Sequence, residues 1–257
     1  MLVLLSSAAR ADDQAALVDG SQQLVVVTAA SASTKTGSMQ RYERSDGPWR
    51  AIGARIEVVL GNKGLGRTCL PHELRLGDKP HSGFLVEPCS QPGLSSRKGE
   101  GDGRAPAGVF ALTRVFGKAS APPSGLPSAK IGAGAVCIDD VTHPAYNHIV
   151  DAATTAPAWK SAEQMVRKDA LYDVVVVVDF NNAEGTTPAT PKAGSCVFLH
   201  VWRAADKGTA GCTAMARNNL DVVVAWLDAA KHPLLVQFAV DDYAAQQAAL
   251  HLPPLTN

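Results

Sequence analysis

The 257-residue chain is 46% apolar and 19% charged, the makeup of an ordinary globular protein long enough to bury a sizeable core. Its 24 basic and 24 acidic residues cancel, so the totals supply no basic face and argue against nucleic acid as a partner. No window approaches the roughly 18 to 20 unbroken apolar residues that cross a bilayer as a helix, which argues against stable membrane insertion.

The N-terminus reads "MLVLLSSAARADDQ". Ala9-Arg10-Ala11 resembles a small-x-small signal peptidase site, and Leu2 to Leu5 resembles the tail of an h-region with no basic n-region before it. The expectation is a secretory signal that begins upstream of Met1, with a mature chain from near Asp12 and a periplasmic or secreted location. A frayed N-terminus is the alternative. On either reading residues 1–21 are a remnant or tail, and 22–257 form one mostly β domain with a few peripheral helices.

"QQLVVVTAA" (22–30) and "GSMQRYER" (37–44) read as strands joined by a Ser/Thr/Gly-rich turn, the pattern of a hairpin, and "RIEVVL" (55–60) as a third strand. Residues 67–97 lose periodicity and read as a long loop insertion. "GVFALT" (108–113) returns to strand character. Residues 158–169, "AWKSAEQMVRKD", suggest a helix. "LYDVVVVVDF" (171–180) is the strongest strand, its β-branched run suited to burial on both faces. "SCVFLHV" (195–201) follows. In "NNLDVVVAWLDAA" (218–230) Leu220, Val223, Val224 and Leu227 fall at helical spacing, with Asn218 or Asn219 as a cap and Pro233 beyond the end. "PLLVQFAV" (233–240) is a closing strand, and an Ala/Gln-rich helix ends the chain.

The chemistry concentrates in "CVFLHVWRAADKGTAGCTAM" (196–215). His200 closes an apolar strand, and Cys212 follows a small-residue Thr-Ala-Gly turn. A hairpin with its loop near "RAADKGTA" would bring the two together as general base and thiolate nucleophile, paired as ions, with amides at Gly211 and Cys212 free for an oxyanion. The alternative is a buried, inert cysteine beside an ordinary strand histidine.

"FLHVWRAADKGTAGCTAM" is similar to the catalytic segment of the L,D-transpeptidase (YkuD-type) family. The resemblance extends to "SSRKGEGDGRAPAGVFALTRVFG" (95–117), "CIDDVTHPAYNHIV" (137–150), "LYDVVVVVDFN", "GSCVFLHVWR" and "LDVVVAWLDAAKHPLLV", in order, over Gln22 to Phe238. It implies the β-sandwich or barrel-like fold of that family and no cofactor or metal. It further implies Cys212 as nucleophile, His200 as general base and the Gly211 carbonyl as the group that orients the imidazole. The reaction it implies is acyl transfer on peptidoglycan stem peptides by a monomer, the thioester being resolved by an amine or by water. Hydrolysis of the same bond as an L,D-carboxypeptidase or endopeptidase, or a non-catalytic wall-binding module, are the alternatives.

Three positions depart from the family pattern. Val201 stands where many members have Gly, although the His-x-x-Arg variant occurs there, as His200-Arg203 does here. Ala210 replaces a His before Gly-Cys. Ala214 replaces an Arg placed for a substrate carboxylate, which leaves Arg203 as the candidate carboxylate anchor or a solvated loop arginine. Tyr146 is a candidate for the cleft wall or a core tyrosine. "GEGDGRAPAG" (99–108) lacks Gly-Lys-Ser/Thr and reads as a turn near the site, not a phosphate loop. His143 and His148 have no further ligands spaced to complete a zinc site.

Five cysteines make an odd number, which suits one free catalytic thiol. Cys69 and Cys89 bracket the insertion and can cross-link in an oxidising compartment. Cys137 and Cys196 lie in apolar strands and read most simply as buried thiols, though they could pair with each other.

Overall fold

The five valines of 174–178 account for the frame of the molecule. A strand sends alternate side chains to opposite faces, and all five are buried, so this strand is covered on both sides. Val174, Val176 and Val178 belong to the main core, whereas Val175 and Val177 belong to a second apolar cluster on the other face. The structure is a computed structural model that describes residues 15–68, 71–76, 79–84, 97–118, 122–154, 158–184 and 188–255.

The strands in chain order are β1 (Gln23–Ala29), β2 (Thr36–Glu43), β3 (Arg50–Val59), β4 (Leu65–Arg67), β5 (Pro71–Leu76), β6 (Lys79–Phe84), β7 (Ala105–Gly117) and β8 (Ser128–Lys130). They continue with β9 (Ala135–Ile138), β10 (Ile149–Asp151), β11 (Ala162–Gln164), β12 (Val174–Val178), β13 (Phe198–Val201), β14 (Thr213–Met215) and β15 (Leu234–Ala239). The main sheet runs β12-β13-β14-β3-β2-β1-β15-β7, and β7 pairs back onto β12, which closes it into a barrel-like ring. The 13-residue β7 achieves closure by its length: its 108–111 portion pairs with β15 and its 112–117 portion with β12. Closure leaves no edge among the ring strands for another chain to pair with.

The expected β1–β2 hairpin is present, with Leu24 opposite Tyr42 and Val26 opposite Gln40. The 67–97 stretch differs from a plain loop, because β5 and β6 pair there as a separate two-stranded sheet. The helix expected over 158–169 is replaced by β11, which pairs with β9 through Ala162 and Ile138. The open edge of β9 offers a ladder of backbone hydrogen bonds, and tertiary pairing overrides the helical propensity of Ala, Glu and Gln.

Helix α1 (Arg217–Trp226) buries Leu220, Val223 and Val224, as the spacing predicts. Its cap is Ala216 without a side-chain bond, so Asn218 and Asn219 lie inside the first turn and do not cap it. A 3-10 turn, Ala229–Lys231, capped by the Asp228 side chain, leads into β15, and helix α2 (Val240–Gln246) follows that strand directly.

A small sheet, β10-β9-β11, buries Ala135 and Cys137 in the second cluster against Val175, Val177 and Phe198 of the ring. A disulfide between Cys137 and Cys196 ties it to the segment that enters β13. The simpler reading of these two cysteines as buried thiols is therefore corrected. Strand position does not reveal which sulfur a cysteine faces; the layering of the small sheet on the ring does. Cys69 and Cys89, the pair expected to cross-link, lie outside the described residues.

Candidate active site

Register explains why His200 and Cys212 face the same side of the ring. Antiparallel pairing places His200 opposite Val175 and Phe198 opposite Val177, so both project from the ring on the side of the second cluster. β13 and β14 are parallel, with His200 beside Ala214. Cys212, two residues before Ala214, shares that face. The expectation of a hairpin is thus corrected: the 202–212 segment carries the chain back to start a parallel strand. It is pinned to the end of β3, where Thr209 donates to the Leu60 carbonyl and Asn62 donates to that of Thr209, each at 2.8 Å. Gly208 permits this approach, since a Cβ there would stand 2.7 Å from the Asn62 side-chain oxygen.

His200 and Cys212 line one cleft of about 560 Å³, together with Lys98, Glu100, Glu163, Tyr172 and Arg203. The Nδ1 of His200 lies 2.8 Å from the Val201 carbonyl oxygen. A carbonyl only accepts, so Nδ1 carries the proton and Nε2 presents its lone pair. The orienting carbonyl is therefore Val201, not Gly211 as expected, because the strand end folds its own carbonyl onto the ring. Burial lowers the imidazole pKa from 6.5 to about 4, against the opposing pull of the Val201 carbonyl.

Cys212 is the free thiol among the described cysteines. Its Sγ accepts from the Phe198 N–H at 3.3 Å and donates to the Cys196 carbonyl at 3.4 Å. Burial pushes its pKa up to about 12 and the Glu163 carboxylate adds to this, while the Phe198 amide, Lys98 and the Tyr172 hydroxyl oppose it. At neutral pH the resting pair is a thiol and a neutral imidazole, which corrects the expected ion pair. Two charges would lose too much solvation in this apolar cluster.

The Gly211 amide, expected to be free for an oxyanion, instead donates to Thr209 Oγ1 at 3.1 Å, and that hydroxyl donates to the Cys212 carbonyl at 2.6 Å. Gly211 thus shapes the turn that holds Cys212. Arg203 stands at the cleft rim, 65% exposed and 3.6 Å from Asp169. Ala214 is fully buried beside His200. Tyr146 does not line the cleft, which corrects its assignment to the wall. It is buried, and its hydroxyl donates to Glu100 and accepts from the Gly194 amide at 3.2 Å. Glu100 is the group that reaches the cleft from this corner, and it also accepts from Ser195 Oγ at 2.8 Å.

The 99–108 segment is the turn that the sequence suggests. Asp102 accepts from the amides of Gly99 and Arg104 at 2.8 and 2.9 Å and from Lys98 Nζ at 2.9 Å, so Lys98, Glu100 and Gly101 border the cleft.

Glu163, Arg167 and Tyr172 are site residues that the sequence reading missed. Tyr172 is buried and sets its ring edge-on to His200 at 5.1 Å and to Phe198 at 5.9 Å. Its hydroxyl donates to Glu163 Oε1 at 2.6 Å, and the residue shares the second apolar cluster with Cys212. Burial raises the Glu163 pKa, opposed by the Tyr172 hydroxyl and Arg167. The signal available was the cluster of acidic, basic and aromatic residues in 163–172, which a helix assignment absorbs as a solvated face.

Among the described residues no group of three or more His, Cys, Asp or Glu side chains could hold a metal ion, and no helix is long and apolar enough to cross a membrane. Comparisons with protein-family models, with curated proteins and with solved structures found no match.

Proposed function

We infer that the protein is a cysteine acyltransferase of the L,D-transpeptidase type, acting on peptidoglycan stem peptides in the cell envelope. The observation that carries this reading is that His200, its Nδ1–H held by the Val201 carbonyl, and the free thiol of Cys212 line one cleft on one face of two parallel strands. Such an arrangement suits nucleophilic catalysis. As the Cys212 sulfur bonds to a peptide carbonyl carbon, its proton passes to His200 Nε2. Collapse of the tetrahedral intermediate expels the amine, which takes that proton and leaves a thioester. An incoming amine or water gives its proton to His200 as it attacks the thioester, and the displaced Cys212 sulfur takes that proton back to restore the thiol. Arg203 at the rim is the candidate contact for a substrate carboxylate.

A disulfide and the signal-like N-terminus support an oxidising compartment. One observation favours the second reading, a wall-binding module without turnover: Ala214 stands buried where the family pattern has an arginine. Intact-mass analysis with a carbapenem-type β-lactam separates the two. The acyltransferase reading expects a single adduct on the peptide containing Cys212, lost in Cys212→Ala. No adduct, with binding to wall sacculi retained, supports the module.

A further inference from the structure

We propose that Glu163 and Tyr172 are positioning residues for the reacting pair, the Tyr172 hydroxyl being held by the Glu163 carboxylate at rest and turning to the Cys212 sulfur when that thiol ionises. The assignment rests on Cys212 and His200 being that pair. Tyr172 touches both sides of the site: its ring packs edge-on against the imidazole, and its hydroxyl bonds to Glu163 on β11. Strand β11 belongs to the small sheet that the Cys137–Cys196 disulfide joins to the ring, so the carboxylate is delivered from one sheet to chemistry on the other.

A phenol has one proton to donate. In the resting state Glu163 holds it. A thiolate at Cys212 would compete for the same proton while standing near a carboxylate of like charge. The hydroxyl therefore favours ionisation of Cys212 and the carboxylate opposes it, in keeping with their opposite effects on the thiol. The other groups around the thiol are His200 and Lys98, with Glu100, Asp139 and Arg167 elsewhere on the cleft wall, and none of these changes in the comparison below.

The test is the rate of Cys212 alkylation by iodoacetamide against pH, read by peptide mass spectrometry on the non-reduced protein. Glu163→Gln removes the charge and leaves only an amide oxygen, a weaker acceptor, to compete with sulfur for the phenolic proton. It should move the profile to lower pH and raise the rate at pH 7.5 about tenfold, the effect of one pKa unit. Tyr172→Phe keeps the ring against His200 but removes the donor, and should move the profile the other way. Glu163→Asp keeps the charge but shortens the reach to Tyr172, and should give a smaller rise than Glu163→Gln. Far-ultraviolet circular dichroism establishes that each variant is folded. Opposed shifts from the two partners of one hydrogen bond support the proposal. A shift of both in the same direction, or an unchanged profile in Glu163→Gln and Glu163→Asp, overturns it. Alkylation needs only the thiol, so a protein inert towards muropeptides that still shows opposed shifts loses the acyl-transfer reading and keeps this one.

Discussion

The burial of His200 makes a prediction about stability that needs no substrate. The imidazole is 5% exposed, and its pKa falls from 6.5 to about 4 in the folded protein. Between those values the unfolded chain binds a proton at this site and the folded chain does not. Stability therefore rises with pH across this window and is lost on acidification from about 6.5 towards 4; below that, both states are protonated and the loss is complete. At about 1.4 kcal/mol for each tenfold in proton affinity, the loss is about 3 kcal/mol. Carboxylates titrate nearby, so the informative quantity is a difference between two proteins. His200→Asn keeps an amide that can reach the Val201 carbonyl but does not titrate. Urea unfolding at pH 7.5, 6.5, 5.5 and 4.5 should show the native protein losing about 2.5 kcal/mol more than the variant over this range, most of the full loss. Parallel losses in the two proteins would refute the claim that His200 is held neutral by burial.

The remaining predictions concern covalent and packing terms. Replacing both Cys137 and Cys196 by serine removes a cross-link across a sequence separation of 59 residues and should cost about 4 kcal/mol in the chain-entropy description, measured by chemical denaturation. Phe110→Ala removes a fully buried ring packed edge-on to Phe180 and should cost about 4 kcal/mol, with a matching fall in melting temperature. Cys212→Ala and His200→Ala should each abolish turnover, and the double variant should be little worse than either, because the two act as a unit. Non-reducing peptide mapping should recover Cys137 linked to Cys196, Cys212 free, and a Cys69–Cys89 linked peptide; free thiols at the last two positions would contradict the cross-link expected of the insertion.

Much of the frame could be read along the chain, because its signals are local. The valine run of β12, the alternation of β1 and β2, and the Leu220, Val223, Val224 spacing of α1 each declare an element within a few residues. The candidate pair Cys212 and His200 is read in the same way, from one short segment. What escaped depends on pairing between distant segments. The parallel register of β13 and β14 reverses the expected hairpin, and no residue in the 202–212 turn marks that choice. Glu163 and Tyr172 gain meaning only when β11 docks on β9 and brings a carboxylate to the Tyr172 hydroxyl at the cleft. Tyr146 erred in the opposite direction: its neighbourhood in sequence suggested the cleft, while its hydroxyl is satisfied behind it by Glu100 and the Gly194 amide. The Cys137–Cys196 bond likewise follows from the layering of one sheet on another.

Mass spectrometry of muropeptides tests the acyl-transfer reading most directly. Disaccharide-tetrapeptides incubated with the purified protein should lose the mass of D-alanine or yield dimers joined through their diamino acids, and the same incubation with Cys212→Ala should yield neither. Tetrapeptides left unchanged by the native protein, or converted equally by Cys212→Ala, would contradict it.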